Sequence, residues 1–283
     1  MVEEVAGLRG AELVAEELNP STRLAERRID DMVTRRIAGE PLQYVLGSWS
    51  FRGIDLFVDP RVLVPRPETE ITAQVAIDEA VRTGAARGRR SPWSGTDTSL
   101  RVVDLGTGSG AIALALAAEL PDAEVWATDV SADALAVARA NLAGAGSTAT
   151  RVRLAQGSWF EALPDEIRGE VRVIVSNPPY VAISEVDDLP PEVARHEPRD
   201  ALVSGPTGLE AIEHIVREAP AWLEPGGVLV VEIDPRRADR ATEIGRAVGY
   251  REVLLEPDLT GRARVLVARQ QHRRRRGDHS HGR

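Results

Sequence analysis

The residues best suited to chemistry are Asn177-Pro178-Pro179-Tyr180, which directly follow a stretch, residues 171–175, that favours a buried strand. Proline lacks a backbone N–H, so the two prolines make the chain leave the sheet here. The Asn177 side-chain oxygen and a main-chain carbonyl then remain as rigid acceptors, and Tyr180 adds an aromatic wall. Such a loop fits a planar NH2 group, because it accepts both hydrogens and leaves the nitrogen lone pair free to attack. The plainer interpretation is a Pro-Pro turn with Asn177 as a cap.

A glycine-rich turn, Gly106-Thr107-Gly108-Ser109-Gly110, follows another predicted strand and precedes a helix. Gly106 and Gly108 let the backbone approach a ligand because they carry no Cβ, and the helix N-terminus favours a negative group. The spacing differs from the dinucleotide pattern G-x-G-x-x-G, since Gly110 comes one residue early. The turn alone therefore indicates a ligand site without naming the ligand.

Two further residues end neighbouring predicted strands. Asp129 closes one strand, where a carboxylate can accept both hydroxyls of a ribose. Trp159 follows the next strand and can lie against an adenine, with core packing as the alternative. Because the carboxyl ends of parallel strands meet at one edge of a sheet, a nucleoside site and an amide or amine site are expected to share a crevice there.

The second half of the chain alternates strands and helices, which predicts an α/β fold with a parallel sheet covered on both faces. Residues 258–262 are too short to hold a helix, so the last two strands are expected to form an antiparallel hairpin at the edge. The predicted strands lie near 100–105, 124–129, 150–155, 171–176, 227–233, 250–256 and 264–269, and the predicted helices at 109–120, 131–143, 207–222 and 235–247.

The first hundred residues have a different pattern. Residues 1–40 predict two helices, broken at Asn19-Pro20, that carry no chemical groups of note and must pack on a partner or serve in docking. Apolar residues then alternate through 49–58 as in a hairpin. Pro65 and Pro67 predict an extended arm, and Thr69 a helix start that continues to about Val81. Composition alone favours a linker for the segment around Pro65 and Pro67. The alternative is an arm beside the active cleft, which Arg66 and Glu68 would shape. Residues 83–99 predict a mobile connection.

Composition limits the class of protein. The 283 residues are 43% apolar and contain no cysteine, and no run approaches the length of a membrane span. The N-terminus has no signal-peptide pattern, so we expect a cytoplasmic protein. The net charge is −9, and residues 272–283 contribute +4, which leaves −13 on the body (−9 minus +4). Such a body repels phosphate, so we expect a protein partner and no stable nucleic-acid binding, with a solvated, disordered basic tail.

Four motifs together resemble the peptide-chain-release-factor glutamine methyltransferases, the HemK/PrmC-like group. The resemblance runs from about residue 21 to 269, and the Pro-Arg-Pro-Glu-Thr-Glu arm is its most particular feature, which reverses the linker interpretation. The motifs are Pro41-Leu-Gln-Tyr44 with Gly47, residues 64–70, residues 104–110 and residues 176–180, followed by Glu197-Pro198, Ala201-Leu202, Gly208-Leu209 and Gly261-Arg262.

The resemblance implies a Rossmann-like, seven-stranded S-adenosylmethionine-dependent methyltransferase domain with a small helical N-terminal domain joined by a β-hairpin. Its expected divisions are 1–46 for substrate docking, 47–99 for the hairpin, arm, helix and linker, 100–270 for the methyltransferase domain and 271–283 for the tail. It implies methylation of the N5 nitrogen of the glutamine in the Gly-Gly-Gln motif of release factors, by a monomer that uses S-adenosyl-L-methionine and no metal.

The resemblance also assigns site residues. It gives Asn177, Pro178 and Tyr180 catalytic roles, and it adds Pro179, Arg66 and Glu68 as substrate-binding residues. The cofactor residues that it implies are Asp104, Gly106, Thr107, Gly108, Ser109, Gly110, Asp129, Trp159 and Asn177.

Two departures from the family pattern and three other functions stay open. The helical module is shorter than the usual bundle, which predicts a truncated start or a reduced docking surface. Asp234 stands where family members commonly have glycine, which affects local loop detail. The other functions are a glutamine methyltransferase acting on a ribosomal protein, an adenine or cytosine amino-methyltransferase of DNA or rRNA, and a non-catalytic binding module.

Overall fold

The computed structural model describes residues 23–86 and 100–271. The predicted first helix, part of the predicted connection and the predicted tail lie outside these residues. The helices are α1 Arg23–Ile37, α2 Leu42–Leu46, α3 Pro67–Ala86, α4 Ala111–Glu119, α5 Ala132–Gly144, α6 Pro191–His196, α7 Arg199–Leu202, α8 Glu210–Glu218 and α9 Ala238–Val248. The strands are β1 Ser48–Phe51, β2 Ile54–Phe57, β3 Leu100–Leu105, β4 Ala123–Asp129, β5 Val152–Gln156, β6 Val171–Ser176, β7 Val181–Ala182, β8 Val203–Gly205, β9 Leu223–Glu232, β10 Glu252–Pro257 and β11 Ala263–Arg269.

Seven strands form one sheet in the order β10-β11-β9-β6-β3-β4-β5. Neighbouring strands from β9 through β5 pair in parallel, whereas β11 pairs antiparallel with both β9 and β10. The predicted α/β class and the terminal antiparallel hairpin are therefore confirmed. Parallel strands need crossover connections, and the helices that make them cover both faces of the sheet.

The hairpin β1–β2 packs into the core of the sheet domain. Phe51, Leu56 and Val58 are buried in the same apolar cluster as α4 and the sheet residue Val102. Its turn has a non-glycine residue at positive φ, Arg52, whose guanidinium reaches Glu119 at the end of α4 at 2.7 Å. The predicted alternation of apolar residues through 49–58 is confirmed. The hairpin that these residues form joins the arm to the sheet.

Two local predictions were incomplete. The short helix α2 was missed because five residues show no helical period, yet Gly47 ends it in the left-handed conformation typical of a helix C-terminus. Helix α3 begins at Pro67 rather than at Thr69 and continues to Ala86, past the predicted end near Val81. Proline is well suited to the first helical position, where its missing N–H would have no partner within the helix.

Strands β3 and β6 have the predicted bounds, and the other five strands of the sheet begin or end one to four residues from the predicted positions. A 3-10 turn, Gly146–Arg151, occupies the start of the predicted third strand. Within residues 23–86 and 100–271, no helix is long and apolar enough to cross a membrane.

Candidate active site

The glycine turn after β3 is held by the neighbouring strand β4. The N–H groups of Gly106 and Thr107 both donate to the Thr128 carbonyl, at 2.8 and 2.9 Å. Gly106, Gly108 and Gly110 have φ of 71°, 55° and 83°, a region that side chains with a Cβ rarely adopt. The turn therefore needs glycine at each of these positions to run from the strand into α4.

Asp104 lies inside the protein beneath this turn. It is fully buried, and its Oδ2 accepts hydrogen bonds from the Thr107 hydroxyl at 2.6 Å and from the Ala113 N–H at 3.1 Å. Burial raises the pKa of Asp104 to about 7, while those two hydrogen bonds lower it. In this structure Asp104 fixes the turn to the start of α4, and a direct contact with a cofactor stays a prediction.

Asp129 ends β4 beside the glycine turn. Its two carboxylate oxygens accept from the Gly108 N–H and the Ser131 N–H, each at 2.9 Å. Burial raises the pKa of Asp129, and these backbone hydrogen bonds lower it. The Val130 N–H also lowers this pKa by hydrogen bonding, and the carboxylate, with about four lone pairs in all, keeps acceptor capacity beyond these backbone donors.

Trp159 lies across the glycine turn, after β5. A Cβ placed on Gly106 would come within 3.3 Å of Cζ3 of the indole. The Trp159 backbone has a positive φ of 46°, and its carbonyl accepts from the Thr128 hydroxyl at 3.1 Å. The half-buried ring also packs on the core, so both predicted roles of Trp159 are compatible with its position.

The loop 177–180 leaves β6 next to the glycine turn. Ser176 pairs with Leu105, so Asn177 and Gly106 follow paired residues at the same edge of the sheet. Asn177 Nδ2 donates to Thr69 Oγ1 at 3.0 Å. No residue in the described ranges donates a hydrogen bond to Asn177 Oδ1 or to the Pro178 carbonyl. The loop thus presents two oxygen acceptors that have no donor among residues 23–86 and 100–271.

The Pro-Arg-Pro-Glu-Thr-Glu arm is pinned to the site by its polar side chains. Arg66 Nη2 contacts both carboxylate oxygens of Glu197 at 2.6 Å, and the Glu197 side chain is 1% exposed. Burial raises the pKa of Glu197, and the Arg66 guanidinium lowers it. Glu70 accepts from the Arg52 N–H at 3.0 Å, which ties the arm to the hairpin. Substrate contacts of Arg66 and of the half-buried Glu68 stay predictions.

Tyr180 closes the loop on a tightly packed wall. Burial raises the pKa of Tyr180 to about 12. A Cβ on Gly208 would lie 2.5 Å from the Tyr180 carbonyl and 2.5 Å from Nε and Nη2 of the buried Arg237. Arg237 in turn donates to the Thr207 carbonyl at 3.1 Å and to Glu185 at 2.5 Å. Arg237 also contacts Asp234, the residue that departs from the family pattern, at 3.1 Å.

Gly208→Ala is expected to destabilise the protein far more than Gly169→Ala. Both glycines have φ of 76°, but no atom lies within 4 Å of a Cβ on Gly169. The control should lose roughly 1–2 kcal/mol of unfolding free energy from backbone strain alone. Gly208→Ala adds overlap with Arg237 and Tyr180 and should lose roughly 3 kcal/mol or more. Urea unfolding of both variants measures this, and equal losses would show that the wall is not packed as described.

Glu232 is a fully buried carboxylate behind the loop. Its Oε2 accepts from the Thr72 hydroxyl at 3.1 Å. Burial raises the pKa of Glu232 to about 7; hydrogen bonds from Thr69 and Thr72 and the charge of Arg264 lower it, and the charge of Glu68 raises it. Glu232 follows Val231, which pairs with Ser176, so it stands beside the strand end that carries Asn177.

The raised pKa of Glu232 predicts a loss of stability at high pH. Its contribution is complete below the unfolded value near 4.5 and is lost as pH rises through about 7. Relative to Glu232→Gln, the wild type should therefore lose on the order of 3 kcal/mol of unfolding free energy between pH 4.5 and pH 8. Urea unfolding across this pH range measures the difference in unfolding free energy between the two proteins. Asp104 titrates in both of them, so its contribution cancels in that difference. Parallel curves for the two proteins would refute the assignment.

Asn141 shapes the site without any local sequence signal. Its Nδ2 donates to the carbonyls of Ser109, at 2.8 Å, and Phe57, at 3.0 Å, and its Oδ1 accepts from the Phe57 N–H at 2.7 Å. It therefore joins the glycine turn to the hairpin from the middle of α5. The sequence predicts the helix at 131–143 but does not single out Asn141, because its partners lie 32 and 84 positions away in the chain.

Two family models match the chain: the Methyltransferase small domain over residues 94–195 and the PrmC N-terminal domain over residues 1–47. The Release factor glutamine methyltransferase of Synechocystis sp. is 42% identical over 81% of this chain and 73% of its own length. That of Deinococcus radiodurans is 41% identical over 95% of this chain and 88% of its own.

A solved structure of a methyltransferase from Pyrococcus furiosus has the same fold, with a TM-score of 0.53 and 20% identity over 87% of this chain and 99% of that one. The predicted Rossmann-like methyltransferase fold is confirmed. From identities above 40% over most of its length, the chain belongs to the release factor glutamine methyltransferase family.

Proposed function

We propose that this protein transfers a methyl group from S-adenosyl-L-methionine to the N5 side-chain nitrogen of the glutamine in the Gly-Gly-Gln motif of peptide chain release factors. The observation that carries the acceptor chemistry is the pair of free oxygens, Asn177 Oδ1 and the Pro178 carbonyl, beside the glycine turn. A primary carboxamide has two N–H hydrogens in one plane, which this pair can accept together.

The residues around the glycine turn fit S-adenosyl-L-methionine. The Asp129 carboxylate ends β4 beside the glycine turn and keeps acceptor capacity beyond its backbone donors, which suits the hydroxyls of a ribose. The Trp159 ring offers a flat apolar face for an adenine, and the turn lets the backbone approach the ligand. When bound, this cofactor supplies a methyl group on a sulfonium, from which it is readily displaced.

The contribution of the chain to the reaction is alignment and polarisation. An amide nitrogen is a poor nucleophile because its lone pair is delocalised into the carbonyl. Asn177 Oδ1 and the Pro178 carbonyl, by accepting both N–H bonds, draw electron density onto the nitrogen and stabilise the positive charge that forms on it. The two prolines keep the acceptors rigid, and Tyr180 forms the wall of the crevice. No strong base is required, because an alkylated amide cation is acidic enough to lose its proton to water.

Docking of the release factor is assigned to residues 1–46 together with the region around α6. Arg36 at the end of α1 contacts Glu192 on α6 at 3.2 Å. Between these two helices lies a cavity of about 540 Å³ that Arg195 and His196 also line. Glu197, the residue after His196, binds Arg66 of the arm. This ion pair therefore links the docking cavity to the arm beside the active site. We place the reaction in the cytoplasm and assign it to a monomer.

The proposed function is tested by incubating the protein with radiolabelled S-adenosyl-L-methionine and four acceptors in parallel: a release factor, total ribosomal protein, DNA and rRNA. Mass spectrometry then locates the modified atom. We expect label on the release factor at the Gly-Gly-Gln glutamine nitrogen, and none on a release factor in which that glutamine is replaced by glutamate. Label on a ribosomal protein or nucleic acid instead would overturn the proposal.

A further inference from the structure

The side-chain amide of Asn177 has two ends of similar shape and opposite chemistry. Its Oδ1 accepts hydrogen bonds, whereas its Nδ2 donates them. If Nδ2 faced the crevice, it would meet the N–H bonds of a substrate carboxamide and repel them. Whatever sets the orientation of this amide therefore decides whether the loop can hold an NH2 group.

Thr69, in the first turn of α3, contacts the other end of this amide. Asn177 Nδ2 donates to Thr69 Oγ1 at 3.0 Å, and Thr69 is 4% exposed. The Thr69 hydroxyl has a single hydrogen, and hydrogen bonding from this hydroxyl is one of the causes that lower the pKa of the neighbouring Glu232. An ionised carboxylate is a stronger acceptor than an amide oxygen, so this hydrogen belongs to Glu232 once the pH exceeds the Glu232 pKa of about 7. The Thr69 oxygen can then only accept, and the donor that it accepts from must be Nδ2.

We infer that Thr69 is a positioning residue that directs Asn177 Oδ1 into the crevice, with Glu232 holding the Thr69 hydroxyl in the orientation this requires. The inference deepens the proposed function and rests on it for its effect on catalysis. Thr69 acts through Asn177 and need not touch the substrate. It also gives the arm a role besides the substrate contacts predicted for Arg66 and Glu68, since the Thr69–Asn177 hydrogen bond joins residues 108 positions apart.

The first test needs no substrate. The chain has only three asparagines, Asn19, Asn141 and Asn177, so selective 15N-asparagine labelling gives three side-chain NH2 signals, and the loss of one in Asn177→Ala assigns it. At pH 8, Thr69→Val should shift the Asn177 NH2 signal and leave that of Asn141 in place. Thr69→Ser should restore it. An unmoved Asn177 signal in Thr69→Val would overturn the inference, whatever the protein methylates.

Kinetics supply the second test, with Thr72→Val as the matched control because Thr72 contacts Glu232 from the same helix. Thr69→Val should lower kcat by about 10-fold, the scale of one hydrogen bond, with unchanged affinity for S-adenosyl-L-methionine. Thr72→Val should keep kcat within about threefold even where it costs a similar free energy of unfolding. In an Asn177→Ala background, Thr69→Val should have no further effect. Independent, multiplying losses in the double variant would contradict a role through Asn177.

Discussion

Asn177→Ala is expected to lower kcat for glutamine methylation by about 10²-fold or more, the scale for removing one preorganised polar group from a reacting centre. In the proposed mechanism the variant loses the oxygen that accepts one substrate N–H, and the Pro178 carbonyl alone would not hold the carboxamide in its plane. Single-turnover methylation of a release factor measures the chemical step directly. The enzyme and the release factor are both used at concentrations well above the dissociation constant of their complex.

The matched control for this experiment is Gln156→Ala. Gln156 is an exposed side-chain amide at the end of β5, on the same edge of the sheet, and its Nε2 contacts the Val130 carbonyl at 3.3 Å. Its removal should leave kcat unchanged. Near-normal turnover of Asn177→Ala would exclude Asn177 from the mechanism.

Asp129→Ala is expected to weaken binding of S-adenosyl-L-methionine by about 10²-fold, because two hydrogen bonds to a charged acceptor are each worth roughly 1.5 kcal/mol or more. The Gly108 N–H also loses its acceptor, so the glycine turn loosens in the same variant. Isothermal titration calorimetry of the cofactor with wild type and variant measures the change.

Asp133→Ala controls for the loss of charge. Asp133 is exposed in the first turn of α5, a few residues from Asp129. It should bind the cofactor as the wild type does. Equal affinity for Asp129→Ala and wild type would refute the ribose role of Asp129.

Most of the sheet could be predicted from the sequence, because its signals are local. Apolar runs ending in Asp104-Leu105, Asp129 and Ser176 mark strands whose order along the chain fixes a parallel sheet. The turn glycines and the two prolines of 177–180 then place the ligand-facing loops at one edge. Where a 3-10 turn precedes a strand, as at residues 146–151, the local signal gives no boundary.

The supporting residues could not be found in this way, because their partners are distant in the chain. Thr69 and Asn177 are 108 positions apart, and Thr72 and Glu232 are 160 apart. Nothing in the local pattern distinguishes Glu232 from an ordinary strand-end carboxylate until the fold buries it. The pairing of Arg66 with Glu197 likewise depends on how α6 packs against the arm.

The most direct test is a crystal structure of the protein with a peptide containing Gly-Gly-Gln and S-adenosylhomocysteine. We expect the glutamine side-chain nitrogen to lie about 2.7–3.2 Å from both Asn177 Oδ1 and the Pro178 carbonyl oxygen. Its free face should point toward the sulfur. A glutamine nitrogen bonded to other groups, or facing solvent while these two oxygens remain without donors, would contradict the account.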